Sequence, residues 1–217
     1  MKVGILFDLD GTLLETLADL ADSVNYTLAQ HGLPTRTLEQ VRAAVGGGVE
    51  NLIRKSMPGT ENDPPVAEVL ATYLPYYAAH CQVKTRPYDG VLEALEQLKK
   101  QFPIAVVSNK QDAAVKKLCQ DYFGDIYALG ERADCPRKPA PDMLHKALAE
   151  LQVDTCIYVG DSEMDVLAAK NAGVPCLSVL WGFRDLQCLE AAGGTDFCSD
   201  PRDLAQCLTE MVRRLDF

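Results

Sequence analysis

Two aspartates, Asp8 and Asp10, follow a short apolar run that begins at Val3 and precede a glycine, Gly11. An apolar run bounded by a turn signal predicts a buried strand. Side chains two residues apart on a strand point to the same side, and open α/β sheets bind ligands at the carboxyl ends of their strands. Asp10-Gly11 alone also fits a simple turn. That alternative leaves Asp8 unexplained, because an unpaired carboxylate inside a buried strand needs a metal or a cation nearby.

Two further predicted strands end in polar residues of complementary type. Ser108 and Asn109 offer a hydroxyl and an amide that can donate to an oxyanion. Asp161 ends another strand, and Asp165 follows one helical turn later on the same side. Lys138 lies between these two strands in the sequence. Each residue has an ordinary alternative, a helix N-cap for the short polar side chains and a surface position for the lysine. Their recurrence at one edge of one sheet favours a shared site.

The charges of these residues indicate what the site binds. Four aspartates would meet there, and Lys138 would be the lysine that opposes them. Such a cluster repels a phosphate unless a divalent cation lies among the carboxylates. Oxygen ligands alone favour Mg²⁺ over zinc. With both cations in place, one aspartate could stay protonated and serve as a general acid.

The elements that must position these residues fall into two groups. From residue 88 onward predicted strands alternate with helices, which indicates an α/β fold with a doubly wound parallel sheet. Between residues 13 and 85 apolar side chains recur at helical spacing, starting at Leu13, and no strand is predicted. We therefore expect a core domain of residues 1–14 and 86–217, with an inserted all-α domain of residues 15–85. A C-terminal helix is predicted from residue 201.

Composition narrows the class of protein. The chain of 217 residues carries a formal charge of −10, so it has no basic surface for nucleic acid. Its apolar runs are too short to span a membrane, and the first strand begins so early that we expect no signal peptide and a cytoplasmic location. Eight cysteines without a Cys-x-x-Cys pair, beside three histidines, argue against zinc and fit buried free thiols.

These residues together resemble the four signature motifs of the haloacid dehalogenase superfamily. The matching segments stand in the family order, and the helical insert resembles that superfamily's type 1 cap on a Rossmann-like core. The segments are Asp8-Leu-Asp10-Gly11-Thr12, Ser108-Asn109, Lys138-Pro139 and Gly160-Asp161-Ser162-x-x-Asp165. Within the superfamily the chain is most similar to phosphoglycolate phosphatases and related phosphatases of small phosphoesters.

The resemblance implies roles at the phosphoryl group. Asp8 would be the nucleophile and form an aspartyl-phosphate. Asp10 would protonate the leaving oxygen and then activate water. Ser108 and the backbone amide of Asn109 would hold the phosphoryl oxygens, and Lys138 would hold nucleophile and phosphate together.

The resemblance also implies a metal site. Mg²⁺ would be bound by the Asp8 side chain, the Asp10 backbone carbonyl and Asp161, and Asp165 would support these ligands. The implied function is a Mg²⁺-dependent phosphatase of a small phosphorylated metabolite, with 2-phosphoglycolate as the leading candidate. We expect a monomer or a homodimer that does not bind nucleic acid or membranes.

Two alternatives stay open. Asp10 separates the chain from family dehalogenases and transport ATPases, which lack an acid at that position, but a phosphomutase of the β-phosphoglucomutase type would keep it. A non-catalytic binding or regulatory protein with this fold would usually have lost a motif residue, and none is missing here. Many phosphoglycolate phosphatases have Asp-Ser where this chain has Glu15-Thr16.

Substrate selection is expected from residues outside the four motifs. Gly47 lies in a run of three glycines that could form a mobile loop, and Arg54 follows on the next helix. Arg54 could bind a substrate carboxylate, although the sequence fits a solvent-exposed basic residue without a binding role equally well. Arg184, after the fifth strand of the predicted sheet, could line the mouth of the site.

Overall fold

The computed structural model describes residues 1–215 and divides the chain into two compact units. The core unit comprises residues 1–14 and the chain from residue 87 onward, and the helical unit comprises residues 15–86. The strands, in chain order, are β1 (Val3–Phe7), β2 (Leu14–Glu15), β3 (Arg86–Pro87), β4 (Ile104–Gln111), β5 (Tyr127–Glu131), β6 (Thr155–Gly160), β7 (Cys176–Val179) and β8 (Asp196–Cys198).

Within the described residues, six of these strands form the sheet of the core unit in the order β5-β4-β1-β6-β7-β8. Every neighbouring pair is parallel, so the carboxyl ends of the strands meet at one edge. The first strand lies between β4 and β6, which places the chain's earliest acidic pair at the centre of that edge.

Both faces of this sheet are covered. All five residues of β1 are buried, and successive side chains belong to different clusters: Ile5 and Phe7 to one, Leu6 to the other. The predicted doubly wound parallel sheet is therefore confirmed. The helices are α1 (Leu17–Gln30), α2 (Leu38–Ala44), α3 (Val49–Ser56), α4 (Val66–His80), α5 (Val91–Leu98), α6 (Asp112–Phe123), α7 (Asp142–Leu151), α8 (Glu163–Ala172), α9 (Leu186–Ala191) and α10 (Leu204–Leu215).

The layers follow from these clusters. Buried side chains of α5, α6 and α10 share the cluster of Ile5 and Phe7. Buried side chains of α7 and α8 share the cluster of Leu6. The core unit is thus a sheet between two helical layers, as expected when parallel strands are joined by helical crossovers.

The helical unit contains α1 to α4. Helix α2 begins with a capping box, in which Thr37 accepts from the Gln40 amide and the Gln40 side chain accepts from the Thr37 amide. Helix α1 buries Val24 and Leu28, and α4 buries Tyr73, so apolar faces at helical spacing form the interior.

Two predictions for the region after β1 are wrong. Leu13 does not start a helix: the amides of Leu13 and Leu14 both donate to the Leu9 carbonyl, and α1 begins only at Leu17. This tight turn is possible because Gly11 has a φ of 84°. The expectation of no strand between residues 13 and 85 fails at β2, which pairs with β3.

The C-terminal region differs in a smaller way. Residues Pro201–Asp203 form a 3₁₀ turn, and the α-helix begins at Leu204. Helix α9 was not predicted, because six residues are too few for a periodic pattern to be recognised. The end of the predicted C-terminal helix, residues 216 and 217, lies outside the described part.

The eight cysteines are free thiols, and five of them are buried. This agrees with the expectation of small buried side chains rather than disulfides. Among the helices within residues 1–215, none combines the length and the apolar character that crossing a bilayer requires.

Candidate active site

Asp8 is the first residue after β1 at the carboxyl edge of the sheet. Its amide donates to the Val159 carbonyl of β6 (2.8 Å), which continues the parallel ladder past the end of the strand. The side chain is almost fully buried. Its Oδ1 lies 3.0 Å from Lys138 Nζ but accepts no hydrogen bond of acceptable geometry among the described residues. Asp8 therefore carries an oxygen that is oriented but not saturated.

Asp10 lies in the turn that follows and binds Lys110. The Lys110 ammonium donates to both carboxylate oxygens, at 2.8 Å to Oδ1 and 3.1 Å to Oδ2. The expected balance of four carboxylates against a single lysine is therefore wrong. Two ammonium groups, those of Lys110 and Lys138, lie against the aspartates of this site.

Ser108 and Asn109 lie in β4 and are buried. The Asn109 side chain donates to the Lys138 carbonyl (2.9 Å) and accepts from the Lys138 amide (2.8 Å). This two-way contact explains how the loop that carries Lys138 is fixed over the strand end. Ser108 Oγ accepts from the Lys110 amide at 3.4 Å, a long bond.

Lys138 Nζ is enclosed by three oxygen atoms. It lies 2.6 Å from Asp165 Oδ1, 2.7 Å from the Tyr158 hydroxyl and 3.0 Å from Asp8 Oδ1. The Lys138 side chain is 2% exposed, so its charge acts in a dry environment where electrostatic attraction is strong. Lys138 thus joins the nucleophile candidate to the acid on α8.

Asp161 follows β6, and the chain encloses its carboxylate. Thr12 Oγ1 donates to Oδ1 (2.9 Å), and the Phe183 amide donates to Oδ2 (2.8 Å). Gly11 and Gly182 approach so closely that a Cβ on either would lie 2.3 Å from an Asp161 side-chain atom. Only glycine fits these two places without movement of the carboxylate.

Asp165 lies in the first turn of α8. Its Oδ2 accepts from the Ser162 amide (3.0 Å) and hydroxyl (2.5 Å), and its Oδ1 accepts from Lys138 and from the Tyr158 hydroxyl (3.1 Å). Ser162 also caps the helix through its own oxygen. The carboxylate has a donor at each oxygen, which suits a supporting role.

The electrostatics follow from burial and from mutual repulsion. Burial raises the pKa of Asp8 to about 6, with Lys138 opposing and the nearby Asp165 and Asp10 carboxylates adding to the rise. Burial and the Asp165 and Asp8 charges raise the pKa of Asp161 well above its ordinary value. Burial lowers the pKa of Lys138, but the Asp165 and Asp8 carboxylates outweigh it and the net pKa is raised. Lys138 therefore stays protonated, and a further cation at the site would stabilise the ionised forms of the aspartates.

These donors fit a divalent cation. Asp8, Asp161 and Asp165 each present a carboxylate oxygen within 4.8 Å of the others, and all three are buried. The unsaturated Oδ1 of Asp8 and the raised pKa values of Asp8 and Asp161 both express a shortage of positive charge. An all-oxygen set of this kind is typical of a hard cation such as Mg²⁺.

The other predicted substrate residues have local partners. Arg54 Nη2 donates to Glu50 on the same helix (2.5 Å), and both side chains are exposed. Arg184 Nε donates to Glu163 at 2.8 Å. Gly47 lies in the helical unit, where a Cβ would come within 2.5 Å of Asn51 Nδ2. The structure brings together the motif residues of the core unit, and the substrate roles of these three residues stay predictions.

For several residues at the site the sequence predicted no specific contact, although Thr12 belongs to the first motif. They are Thr12, Lys110, Tyr158, Trp181, Gly182 and Phe183. A signal existed for Tyr158, because a tyrosine inside an otherwise apolar strand needs a partner for its hydroxyl. For Lys110 the position directly after Ser108-Asn109 was the signal, although any single lysine is more often at the surface.

Comparison with known proteins agrees with the motifs. Residues 5–179 match the family of haloacid dehalogenase-like hydrolases, which covers most of the chain and all four predicted motifs. A solved structure from Lactobacillus delbrueckii subsp. bulgaricus, described as a candidate phosphoglycolate phosphatase, superposes with a TM-score of 0.86 at 36% identity. The superposition covers 96% of this chain and 99% of that one.

Curated relatives have similar lengths. A phosphoglycolate phosphatase of Agrobacterium fabrum is 34% identical over 203 residues, 85% of this chain and 83% of the relative. An N-acetylmuramic acid 6-phosphate phosphatase of Pseudomonas aeruginosa is 32% identical over 214 residues, 94% of this chain and 93% of the relative. The predicted family and the predicted class of enzyme are confirmed: the chain belongs to the haloacid dehalogenase-like hydrolases, and it is a phosphatase of that family.

Proposed function

We propose that this chain is a Mg²⁺-dependent phosphomonoesterase that hydrolyses a small phosphorylated metabolite through an aspartyl-phosphate on Asp8. The observation that carries the proposal is the environment of Asp8: its Oδ1 accepts no hydrogen bond among the described residues and lies 3.0 Å from Lys138. A nucleophile needs an oxygen that is held in place but not saturated, together with a cation that favours its ionised form.

In the first step, Asp8 attacks phosphorus. A bond forms between the aspartate oxygen and phosphorus while the bond from phosphorus to the ester oxygen breaks. Asp10 gives its proton to the leaving oxygen, which departs as an alcohol. Lys138 stays against Asp8 and stabilises negative charge on the nucleophile and the phosphoryl oxygens.

In the second step, water hydrolyses the acyl phosphate. Asp10, now ionised, takes a proton from water, and the new oxygen–phosphorus bond replaces the bond to Asp8. Inorganic phosphate leaves and the Asp8 carboxylate is restored. Ser108 and the Asn109 amide lie at the adjacent strand end, where donors to phosphoryl oxygens are needed in both steps.

Mg²⁺ would be held by the Asp8 carboxylate, the Asp10 backbone carbonyl and the Asp161 carboxylate, with Asp165 bracing the loop through Ser162 and Lys138. When bound, it supplies positive charge that offsets the aspartates and the incoming phosphate. Thr12 and the Phe183 amide orient Asp161 for this purpose.

For the substrate we propose 2-phosphoglycolate. Its support is the agreement of several relatives at 30–35% identity that are named phosphoglycolate phosphatases. The relative named for N-acetylmuramic acid 6-phosphate is similar to this chain to a comparable degree, so that sugar phosphate belongs in the same assay.

The experiment is a release assay for inorganic phosphate with and without Mg²⁺. The substrates are 2-phosphoglycolate, N-acetylmuramic acid 6-phosphate, glucose 1-phosphate and 4-nitrophenyl phosphate. We expect Mg²⁺-dependent phosphate release that is fastest with 2-phosphoglycolate and is lost in Asp8→Asn. Turnover by Asp8→Asn would contradict the nucleophile, and glucose 6-phosphate formed from glucose 1-phosphate would indicate a mutase. A matched control is Asp121→Asn, on the far end of α6.

A further inference from the structure

The contact between Lys110 and Asp10 is not explained by the motif roles. The Lys110 ammonium binds both oxygens of the Asp10 carboxylate, and the two side chains are 7% and 13% exposed. Removing both charges from water costs free energy, and one ion pair often returns little more than that cost. A lysine that only neutralised Asp10 would therefore stabilise the fold weakly, which calls for another reason for its presence.

The position of Lys110 is defined by the acid it binds. In the proposed function, Asp10 protonates the leaving oxygen, so a group that contacts the Asp10 carboxylate lies on the leaving-group side of phosphorus. Lys138, the other ammonium at the site, is enclosed by Asp8, Asp165 and Tyr158 on the nucleophile's side. The two lysines thus face different parts of a bound phosphoester.

The negative charges of the four aspartates limit which substrates the site can accept. Asp8, Asp10, Asp161 and Asp165 surround the strand ends, and each repels a second anionic group on the substrate. An extra carboxylate on the leaving group is acceptable only beside a cation. A lysine ammonium can donate three hydrogen bonds, which allows it to exchange a protein partner for a substrate oxygen while it keeps one contact with Asp10.

We propose that Lys110 selects phosphoesters whose leaving group carries a carboxylate directly on the ester-bearing carbon, as in phosphorylated 2-hydroxy acids. This inference rests on the proposed function and assigns its specificity to one side chain of the core unit. In the substrate complex the Lys110 ammonium binds this carboxylate. The carboxylate lies close to the ester oxygen that Asp10 protonates, and Lys110 is in direct contact with Asp10, so the two side chains can meet these two groups together. Esters with a remote carboxylate, or with none, do not gain this contact.

Arg184 is the competing candidate within the core unit. Its guanidinium binds Glu163, which is in the first turn of α8, whereas Lys110 binds the general acid itself. Lys110 and Arg184 are distinguished by which substitution changes the preference for esters with a carboxylate, rather than lowering the rate for all esters equally.

The test compares kcat/KM for 2-phosphoglycolate and for ethyl phosphate, which has a methyl group in place of the carboxylate. It is measured with the full chain and Mg²⁺ in the wild type, Lys110→Met, Lys110→Gln, Lys110→Arg and Arg184→Met. A matched control is Lys116→Met, because the Lys116 side chain is exposed and pairs with Asp112 on α6. The ratio of the two kcat/KM values is independent of how much of the enzyme is folded, since both substrates meet the same active fraction.

We expect Lys110→Met and Lys110→Gln to lower this ratio by about 10- to 100-fold, the loss typical of a hydrogen bond to a charged group. Lys110→Arg keeps the charge and should restore part of the ratio, and Lys116→Met should leave it unchanged. An equal loss for both substrates would show that Lys110 only positions Asp10 and would overturn the proposal. A collapse of the ratio in Arg184→Met but not in Lys110→Met would overturn it as well.

A failure of the proposed function would give a different result from a failure of the role proposed for Lys110. If the folded wild type released phosphate from neither ester, the phosphatase mechanism and the role of Lys110 would both be rejected. If the wild type hydrolysed both esters and the ratio were the same in Lys110→Met, only the role of Lys110 would be rejected.

Discussion

Thr12 Oγ1 donates a 2.9 Å hydrogen bond to Asp161 Oδ1, and the two residues are 149 positions apart in the sequence. The bond joins the loop after β1 to the loop after β6, the strand that lies beside it in the sheet. It fixes one oxygen of a carboxylate that lies in the buried acidic cluster. The same threonine that completes the first motif therefore orients the acid of the fourth.

Replacing Thr12 with valine should weaken the binding of Mg²⁺. The change removes the hydroxyl donor and keeps the shape of the side chain, so the Asp161 carboxylate loses the hydrogen bond from residue 12 that orients it. We expect Mg²⁺ to bind about 1–2 kcal/mol more weakly, which is a roughly 5- to 30-fold increase in the dissociation constant. Calorimetric titration with Mg²⁺ in the absence of substrate measures this directly. Thr209→Val is the matched control, because Thr209 Oγ1 bonds a carbonyl of its own helix. Equal affinities in wild type and Thr12→Val would contradict the orienting role.

Gly182→Ala should damage the same carboxylate by crowding. An added Cβ would lie 2.3 Å from Asp161 Cβ and 2.5 Å from Oδ2, distances at which the acid must move. Because the acid also accepts from the Phe183 amide next to this glycine, we expect both a lower melting temperature and a Mg²⁺ affinity reduced at least tenfold.

Gly173→Ala separates crowding from backbone strain. Gly173 has a φ of 70°, and no atom from elsewhere in residues 1–215 lies within 4 Å of an added Cβ, so alanine there costs about 1 kcal/mol of backbone strain without touching the site. Its Mg²⁺ affinity should stay at the wild-type value. A Gly182→Ala variant that binds Mg²⁺ as the wild type does would show that the loop can move away.

Lys138→Met should destabilise the metal-free protein strongly. Asp8 and Asp165 would stay buried without their shared cation, and removing one partner of a buried ion pair typically costs about 3–5 kcal/mol. Urea unfolding in the presence of a chelator measures the free energy of unfolding. Lys146→Met is the control, because its 3.6 Å pair with Asp134 is exposed and should contribute less than about 1 kcal/mol. Similar losses in both variants would mean that Lys138 has no special electrostatic role.

The sheet was predictable because parallel strands buried on both faces are nearly continuous apolar runs. The motif aspartates were predictable because a carboxylate in such a run is costly without a partner. Leu13 and Leu14 were not, since their spacing suits a helix while main-chain bonds to Leu9 hold them in a turn. Tertiary hydrogen bonds of this kind have no local pattern in the sequence.

The pairing of Lys110 with Asp10 shows the same limit at the site. A lysine is usually at the surface, and the place of Lys110 after Ser108-Asn109 does not indicate that Asp10 lies 2.8 Å from its ammonium. Their contact follows from the order of β4 and β1 in the sheet, which only the fold determines. The motifs alone therefore predicted one lysine beside the aspartates, where the structure has both Lys110 and Lys138.

The stability of the metal-free protein should fall as the pH rises from 5 to 7.5. Burial raises the pKa of Asp8 from 3.8 to about 6, so the folded state holds a proton that the unfolded state has already lost. A raised acid pKa stabilises the fold fully below the unfolded value, and this contribution disappears as the pH rises through the folded value. For Asp8 the change over this range is roughly 1–2 kcal/mol, and Asp161, whose pKa is also raised, acts in the same direction.

Urea unfolding at pH 5 and pH 7.5 with a chelator tests this dependence, with Asp8→Asn as the comparison. The variant cannot titrate at residue 8, so its stability should change less between the two pH values than that of the wild type. Saturating Mg²⁺ should stabilise the wild type more at pH 7.5 than at pH 5, because the cation binds the ionised carboxylates and competes with protons. A wild type whose stability changes over this range by the same amount as that of Asp8→Asn would mean that Asp8 is already ionised at pH 5. The acidic cluster would then hold its charges without a metal, through Lys138 and Lys110 alone.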